Sequence, residues 1–328
     1  MTLLHVFRGS TPPEVDGWYR AAVSADPRVD VTVSVIVATN RGGPLLGAAL
    51  DSLVGQSFRD WELILVDDGS DDQEAVRRSV DAVPNAQVVR QENSGVSVAR
   101  NVGFAHSSGE FVVYLDDDDL WDRERLALQV EALRGEPSAG CCHSGYWWID
   151  RDGARFGDPV SVGPASEESY LSGEVDIPTI NTLMVRRQVV QRLGGFLSGL
   201  ALAEDCEFIL RVVREGPVVS LPQQLVGWRR YPESVSFTRG ADALNAAALH
   251  AVTIALWGAE SRNAQREVVL LTRNLERCQR RFAEQHANEF LHLVRQHHWK
   301  RAVGELGQGL RNSPSATIHR FGEVVRRH

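Results

Sequence analysis

Phe-Val-Val-Tyr-Leu-Asp-Asp-Asp-Asp-Leu-Trp, residues 111–121, is the stretch on which the fold turns. Five apolar residues run straight into four aspartates. A short apolar run with such a boundary is the pattern of a buried strand. In open α/β sheets, ligands gather in the crevice outside the carboxyl ends of the strands. Four carboxylates crowded there repel one another unless a cation neutralises them. Hard divalent ions take oxygen ligands, and Mg²⁺ is commonly held by one or two carboxylates together with substrate phosphates. The run reads as a metal–diphosphate site with Asp116, Asp118 and Asp119 as candidates, or more plainly as a solvated acidic loop after a strand.

The flanking sequence favours the site. Upstream, residues 31–40 form a β-branched run that ends in polar residues, as buried parallel strands do. Leu45, Leu46, Ala49, Leu50, Leu53 and Val54 then recur at helical spacing. A second apolar strand, 61–66, also empties into acid at Asp67, Asp68, Asp71 and Asp72. A helix over about 73–82, a short strand at 87–90, a break at Asn93-Ser-Gly95 and a helix over 96–106 lead back to 111–115. Strands alternating with helices predict parallel pairing through right-handed crossovers. Two strands that end in aspartates can then share one rim.

With these segments in view, the chain resembles the family 2 glycosyltransferases of GT-A fold, bacterial and soluble. Five segments carry the resemblance in the family's order: 33–40, 50–70 with its Val-Asp-Asp-Gly-Ser ending, 93–103 (Asn-Ser-Gly-Val-Ser-Val-Ala-Arg-Asn-Val-Gly), the Asp116–Asp119 run, and 203–211 (Ala-Glu-Asp-Cys-Glu-Phe-Ile-Leu-Arg). It covers residues 31–237 and implies a Rossmann-like mixed sheet flanked by helices. It also implies a nucleotide-diphosphate sugar donor, a UDP-sugar foremost, with Mn²⁺ or Mg²⁺ and inversion at the transferred sugar.

By position, the resemblance sets Thr39 and Asn40 at the start of the nucleotide loop. It makes Asp67 or Asp68 an acceptor for base or ribose, with Asp67 favoured, since an ionised carboxylate only accepts. Arg100 falls where the family has a basic residue near the diphosphate; its plainer reading is a structural partner for an acid of the Asp67 loop. Asp116 and Asp118 fill the first and third places of the family's Asp-X-Asp motif, with Asp118 as the direct metal ligand, Asp116 nearer the ribose, and Asp117 a passenger. Asp205, the second acid of Glu204-Asp205, takes the place of the catalytic base, and Glu204 caps a helix or contacts the acceptor. Both acids also suit a helix start without any catalysis. Arg229 and Arg230 are candidates for the leaving phosphates, or an exposed pair at a strand end. Tyr231 stands where relatives often carry a metal-binding His. Trp147 and Trp148 either stack on an acceptor sugar or fill the core, His143 is a core or rim residue, and Asn181 and Thr182 line the acceptor cleft.

Composition bounds the rest. In 328 residues there is room for a catalytic domain at 31–237, divided into a nucleotide-binding half (31–121) and an acceptor half (122–237). Residues 1–30 read as an N-terminal arm and 238–328 as a helical appendage, with Leu271, Leu275, Cys278 and Phe282, and then Val303, Leu306 and Leu310, at helical spacing. No apolar run approaches the roughly 20 residues of a membrane span. The N-terminus lacks a secretory pattern, and the four cysteines suggest neither a disulfide framework nor zinc spacing. A cytoplasmic enzyme is expected, with peripheral attachment at the inner membrane surface as an option. The tail from 238 carries 14 basic against 8 acidic residues, net +6, while the first 237 carry 21 against 35, net −14. A basic helical region admits contact with anionic lipid, an acidic acceptor or a second copy, though a solvated helix face is the simpler reading. His286, His292, His297 and His298 lack the i, i+4 pairing of a helical zinc site. No Walker-type phosphate loop or nucleic-acid motif is present. The acceptor (glycan, lipid-linked glycan, peptide or small molecule) is left open. So are two rival readings, a sugar-phosphate nucleotidyltransferase and a non-catalytic scaffold of the same fold.

Overall fold

The computed structural model of the chain describes residues 31–200, 202–296, 298–313 and 316–318; the expected arm at 1–30 and His297 lie outside these. Two compact units emerge. One comprises residues up to Glu167 together with Ile177–Ser234; the other combines Glu168–Asp176 with Val235–His328.

The first unit is built on one mixed sheet. Strands β1 (Val33–Thr39), β2 (Trp61–Asp68), β3 (Ala86–Gln91) and β4 (Phe111–Tyr114) lie parallel in the order β3-β2-β1-β4. Their register sets Thr39 beside Asp67, and the backbone N–H of Leu115 donates to Ile36 O, so the aspartate run emerges level with the ends of β1 and β2. Alternation along the strands supplies both faces. Val33, Val35, Val37, Leu63 and Leu65 pack with Leu46, Leu50 and Leu53 of α1 (Pro44–Val54). Ile64 and Val66 pack with Ala99 of α3 (Val96–Ala105), the α2 helix (Gln73–Val80) having intervened. Gly103 permits that second contact, because a Cβ there would lie 2.4 Å from Ile36 Cγ2. Burial on both faces explains the near-continuous apolar strands.

Beyond β4 the sheet changes sense. It continues through β8 (Leu183–Arg186), β6 (Cys141–Ile149), β9 (Val218–Arg229) and β5 (Leu120–Trp121), with β7 (Arg155–Val160) paired to β6. Strand β8 runs antiparallel to both β4 and β6, whereas β6 and β9 are parallel. Helix α4 (Arg125–Gly135) packs Leu126, Val130 and Leu133 into the core shared with β1 and β4. Helix α5 is Glu167–Leu171, α6 is Arg187–Leu193, and α7 is Glu204–Val212. Strand β6 runs on to Ile149, and β5 is a short strand, not expected from the sequence, fastened to β9.

The second unit is helical: α8 (Val235–Ser261, broken at Gly240), α9 (Gln265–Arg295) and α10 (Trp299–Asn312). Leu271 and Phe282 are buried as the spacing suggested, but Val303 is 66% and Leu310 37% exposed. On α10 the small residue Ala302 is buried instead. Three of the unit's arginines, Arg266, Arg277 and Arg281, meet Glu168, Glu174 and Asp176 at 3.3–3.4 Å, so part of the basic surplus is answered within the unit. Among the described residues no helix is long and apolar enough to cross a membrane.

Candidate active site

The four aspartates divide into two kinds. Asp116 and Asp118 reach solvent, with side chains 35% and 19% exposed. Asp116 Oδ1 accepts from Arg100 Nη2 at 3.0 Å, while Asp118 Oδ2 accepts from Arg41 Nη2 at 3.0 Å and from the Tyr231 hydroxyl at 2.7 Å. Among the described residues, Asp116 Oδ2 and Asp118 Oδ1 accept no hydrogen bond. Asp119 is the opposite case. It is 1% exposed, and its two oxygens take the backbone N–H of Arg229 (2.8 Å) and the Asn181 amide. Burial pushes its carboxyl well above the usual carboxylate range, and the neighbouring Asp116 and Asp118 push the same way. Asp119 is therefore a tie between β5, β9 and the segment before β8, which removes it from the metal candidates. Asp117 is not a passenger: its Oδ2 accepts from the Thr39 hydroxyl at 2.6 Å, and its Oδ1 pairs with Arg41 at 2.7 Å. Burial raises the Asp117 carboxyl, with Arg41 opposing.

Arg100 draws the distant parts together. Its side chain is 6% exposed, and its fork spans Asp116 and Glu204 Oε1 (2.9 Å). It pairs with neither acid of the Asp67 loop, contrary to one of the two sequence readings; Arg90 takes Asp67 instead. Asp67 also accepts the Ser70 N–H at 2.8 Å. Asp68 accepts from the N–H groups of Ser94 (2.8 Å) and Gly95 (2.9 Å) and from Gln91. Both acids are nearly fully buried and hold loops within the chain, so the expected hydrogen bond from a base or ribose has only their remaining lone pairs to use. Gly69, at φ +79°, makes that staple feasible: a Cβ there would sit 2.6 Å from Asn93 N.

Glu204 and Asp205 open α7 after Ala203, whose φ of 57° turns the chain sharply into the helix. Negative charge is favoured in a first helical turn. Asp205 Oδ1 accepts from its neighbour Cys206 N–H (2.7 Å), and its other oxygen takes no hydrogen bond among the described residues. Burial raises the Glu204 carboxyl against the opposing pull of Arg100.

The second half corrects several expectations. Arg229 is buried and its guanidinium is spent on carbonyl oxygens of Asp118, Asp150 and Arg151, a rigid brace with little left for phosphate. Arg230 is exposed and lies over the Trp148 ring at 4.8 Å. Trp148 stacks on Trp228 at 4.9 Å with Tyr146 edge-on, while Trp147 sits under Arg155. Asn181 is 2% exposed and Thr182 1%, which places both inside the fold rather than on a cleft wall. His143 is buried, and burial lowers its imidazole to about 4. Thr39 is buried on the Asp117 bond and Asn40 is exposed.

Sequence reasoning missed three groups. Arg41 clasps Asp117 and Asp118, and the only hint was its place in the Arg-Gly-Gly-Pro turn after β1. Tyr231 was noted for not being His, yet its hydroxyl holds Asp118; burial and that bond raise its phenol to about 12, so it stays a donor at neutral pH. Arg125 is fully buried, stacked on Trp121 at 3.9 Å, with Nε donating to Gln129 Oε1 and no hydrogen bond from Nη1 or Nη2 among the described residues. Nothing in its sequence context distinguished it from a surface helix residue.

As for a divalent ion, the residues present fit one. Two partly exposed carboxylates each keep an oxygen without a hydrogen bond, and the donor set is all oxygen, as Mg²⁺ and Mn²⁺ prefer.

A mixed sheet with acids at the ends of its parallel strands, flanked by helices on both faces, defines a GT-A-type nucleotide-diphospho-sugar transferase fold. Residues 34–193, just under half of the chain, match the family model for glycosyl transferase family 2. It is 25% identical over 185 residues to an uncharacterized glycosyltransferase of Haemophilus influenzae, covering 56% of this chain and 62% of that protein. Against the uncharacterized glycosyltransferase YibD of Escherichia coli it is 23% identical over 256 residues, 77% of this chain and 72% of that one. The chain thus spans less than two thirds of the Haemophilus relative. Among solved structures, S. aureus TarS 1–349 in complex with UDP-GlcNAc superposes with a TM-score of 0.62 at 19% identity, over 88% of this chain and 83% of that one. At that identity the likeness is one of fold.

Proposed function

We propose that the chain is a metal-dependent, inverting glycosyltransferase that moves a sugar from a nucleotide-diphosphate donor to an acceptor hydroxyl. The observation that carries this reading is the Arg100 fork. By bonding Asp116 and Glu204 together, it brings the acids after β4 and the start of α7 to one rim. UDP is the first nucleotide to test, because the TarS neighbour of like fold is described in complex with UDP-GlcNAc.

Asp116 and Asp118 are the residues to hold the divalent ion, which, when bound, supplies Lewis-acid neutralisation of the diphosphate. Thr39 and Asp117 fix the rim from below, and Tyr231 orients Asp118 through its hydroxyl. Arg41, 44% exposed on the rim, is a better partner for phosphate oxygens than the buried Arg229, whose Nε and Nη1 already donate to backbone carbonyls. Asp205 removes the proton from the acceptor hydroxyl as its oxygen bonds to the anomeric carbon and the bond to the diphosphate breaks on the opposite face. One such displacement inverts the configuration. A general base of this kind contributes about 10²–10⁴ in rate. The Trp148–Trp228 stack offers an aromatic face for the acceptor.

The test is a panel of nucleoside diphosphates scored by thermal shift, with and without Mn²⁺ or Mg²⁺, in the native chain and in Asp118→Asn. Metal-dependent stabilisation by one base, lost in Asp118→Asn, is the expected outcome. Binding that ignores both metal and Asp118 would remove the metal from the reading.

A further inference from the structure

In the helical unit, away from the aspartate rim in sequence, His286 of α9 is 1% exposed. Its Nδ1 lies 2.6 Å from Glu305 Oε2 of α10. Its Nε2 is buried and has no hydrogen-bond partner among the described residues, and it faces Asp242 Oδ1 of α8 across 3.8 Å. Leaving a buried ring nitrogen unpaired is costly. We propose that Asp242 and His286 are ligands of a divalent transition metal of borderline softness, for which Zn²⁺ is the natural probe, with Glu305 as the residue that positions the imidazole.

Three features converge on this assignment. First, 3.8 Å is too long for a hydrogen bond. Two atoms that each sit about 2.0–2.2 Å from a shared ion reach that separation at an angle of roughly 120–145°, so a small inward movement of the exposed Asp242 side chain would bring them to tetrahedral spacing. Second, an ionised Glu305 only accepts, so in a neutral imidazole the proton lies on Nδ1 and the lone pair on Nε2, the nitrogen that faces Asp242. A ligand histidine almost always donates its other ring N–H to such a carboxylate. Third, Asp242, His286 and Glu305 bring potential ligand atoms within 4.8 Å of one another, and Asp242 and Glu305 border an open cleft of about 830 Å³. Glu289 and His292 line the same cleft, from which water can fill the remaining positions. Gln285 donates to Asp242 Oδ1 at 3.1 Å and accepts in turn from Asn245, so the carboxylate is oriented before an ion arrives. The site needs no i, i+4 pair of histidines, because its second ligand and its orienting acid come from other helices.

The experiment uses the full chain after chelation and dialysis, titrated with Zn²⁺ by calorimetry and with Co²⁺ by visible absorption. Asp118→Asn runs in parallel to separate this site from the aspartate rim. One ion should still bind in Asp118→Asn, with the affinity that this site shows in the native chain. Its affinity should fall at least 100-fold in His286→Gln and in Asp242→Asn, and by about 10–100-fold in Glu305→Gln. Because the Asp242 side chain is 60% exposed, Asp242→Asn keeps the test decisive even if His286→Gln misfolds. The proposal is overturned by absence of saturable binding, by binding unchanged in both ligand variants, or by binding that disappears with Asp118→Asn alone.

Discussion

The parallel half of the sheet and its mixed half treat carboxylates differently. At the ends of β1, β2 and β4, Asp116 and Asp118 keep solvent-facing oxygens and share arginines that are themselves part of the rim. Where β5, β9 and the segment before β8 meet, Asp119 is sealed and fully used. The two kinds are three residues apart at most. What separates them is the direction of the next strand: once the chain turns into β5, the side chain that follows Asp118 points into the protein, where only a hydrogen-bonded carboxylate is tolerable. Adjacent acids can therefore differ completely in what they do, and substitutions should tell them apart.

The sharpest break is at Asp205. Asp205→Asn should lower turnover by about 10²–10⁴ while nucleotide affinity and melting temperature stay near native. Equal activity would strip Asp205 of its role. Next comes Arg100, which stands between the two halves. Arg100→Met leaves Asp116 and Glu204 unpaired beside a buried aliphatic chain, and breaking a buried pair from one side costs about 3–5 kcal/mol. Chemical denaturation checks it, and a cost under a third of that would mean the fork does not join the two elements energetically.

Asp119 tests the comparison most directly. Asp119→Ala leaves the Arg229 N–H and the Asn181 amide without acceptors in a dry site, for a loss of about 1–3 kcal/mol. Asp119→Asn keeps an acceptor for Arg229 and removes the titration. The folded carboxyl is raised above its unfolded value, so its contribution to stability is complete below the ordinary carboxylate range and is lost as pH rises through the folded value. Asp119→Asn should flatten that fall when stability is followed from acid to alkaline pH. A profile parallel to the native one would place the ionisation elsewhere. The smallest effect is expected at Tyr231: Tyr231→Phe removes one neutral donor to Asp118, worth about 0.5–1.5 kcal/mol, and should weaken metal-dependent nucleotide binding a few-fold with little change in stability.

Much of the parallel half was legible because its elements are local. Apolar runs of fixed parity, helical spacing at 45–54 and acids at strand ends are all written within short windows, and the order of five segments tied them to one family. The mixed half was less so. That β5 pairs with β9, that Arg229 braces three carbonyls, and that Asn181 reaches Asp119 across 62 residues are facts of long-range packing, with no spacing to announce them. Arg41 and Arg90 were invisible for the same reason: an arginine's partner is chosen by the fold, while its neighbours in sequence are silent. His286 shows the opposite error. A search for paired histidines on one helix passes over a histidine whose acids arrive from residues 242 and 305.

The excursion Glu168–Asp176 has a consequence for how the polypeptide can be divided. The chain enters the helical unit there, leaves it, and returns at Val235. Asn274 meets Gly173 and Tyr170 while three arginines of α9 grip the acids on either side. A single proteolytic nick after Ser234 therefore does not yield two separate proteins. It yields two fragments that remain partnered through a segment one of them has lent to the other, and they part only as readily as those few contacts let go.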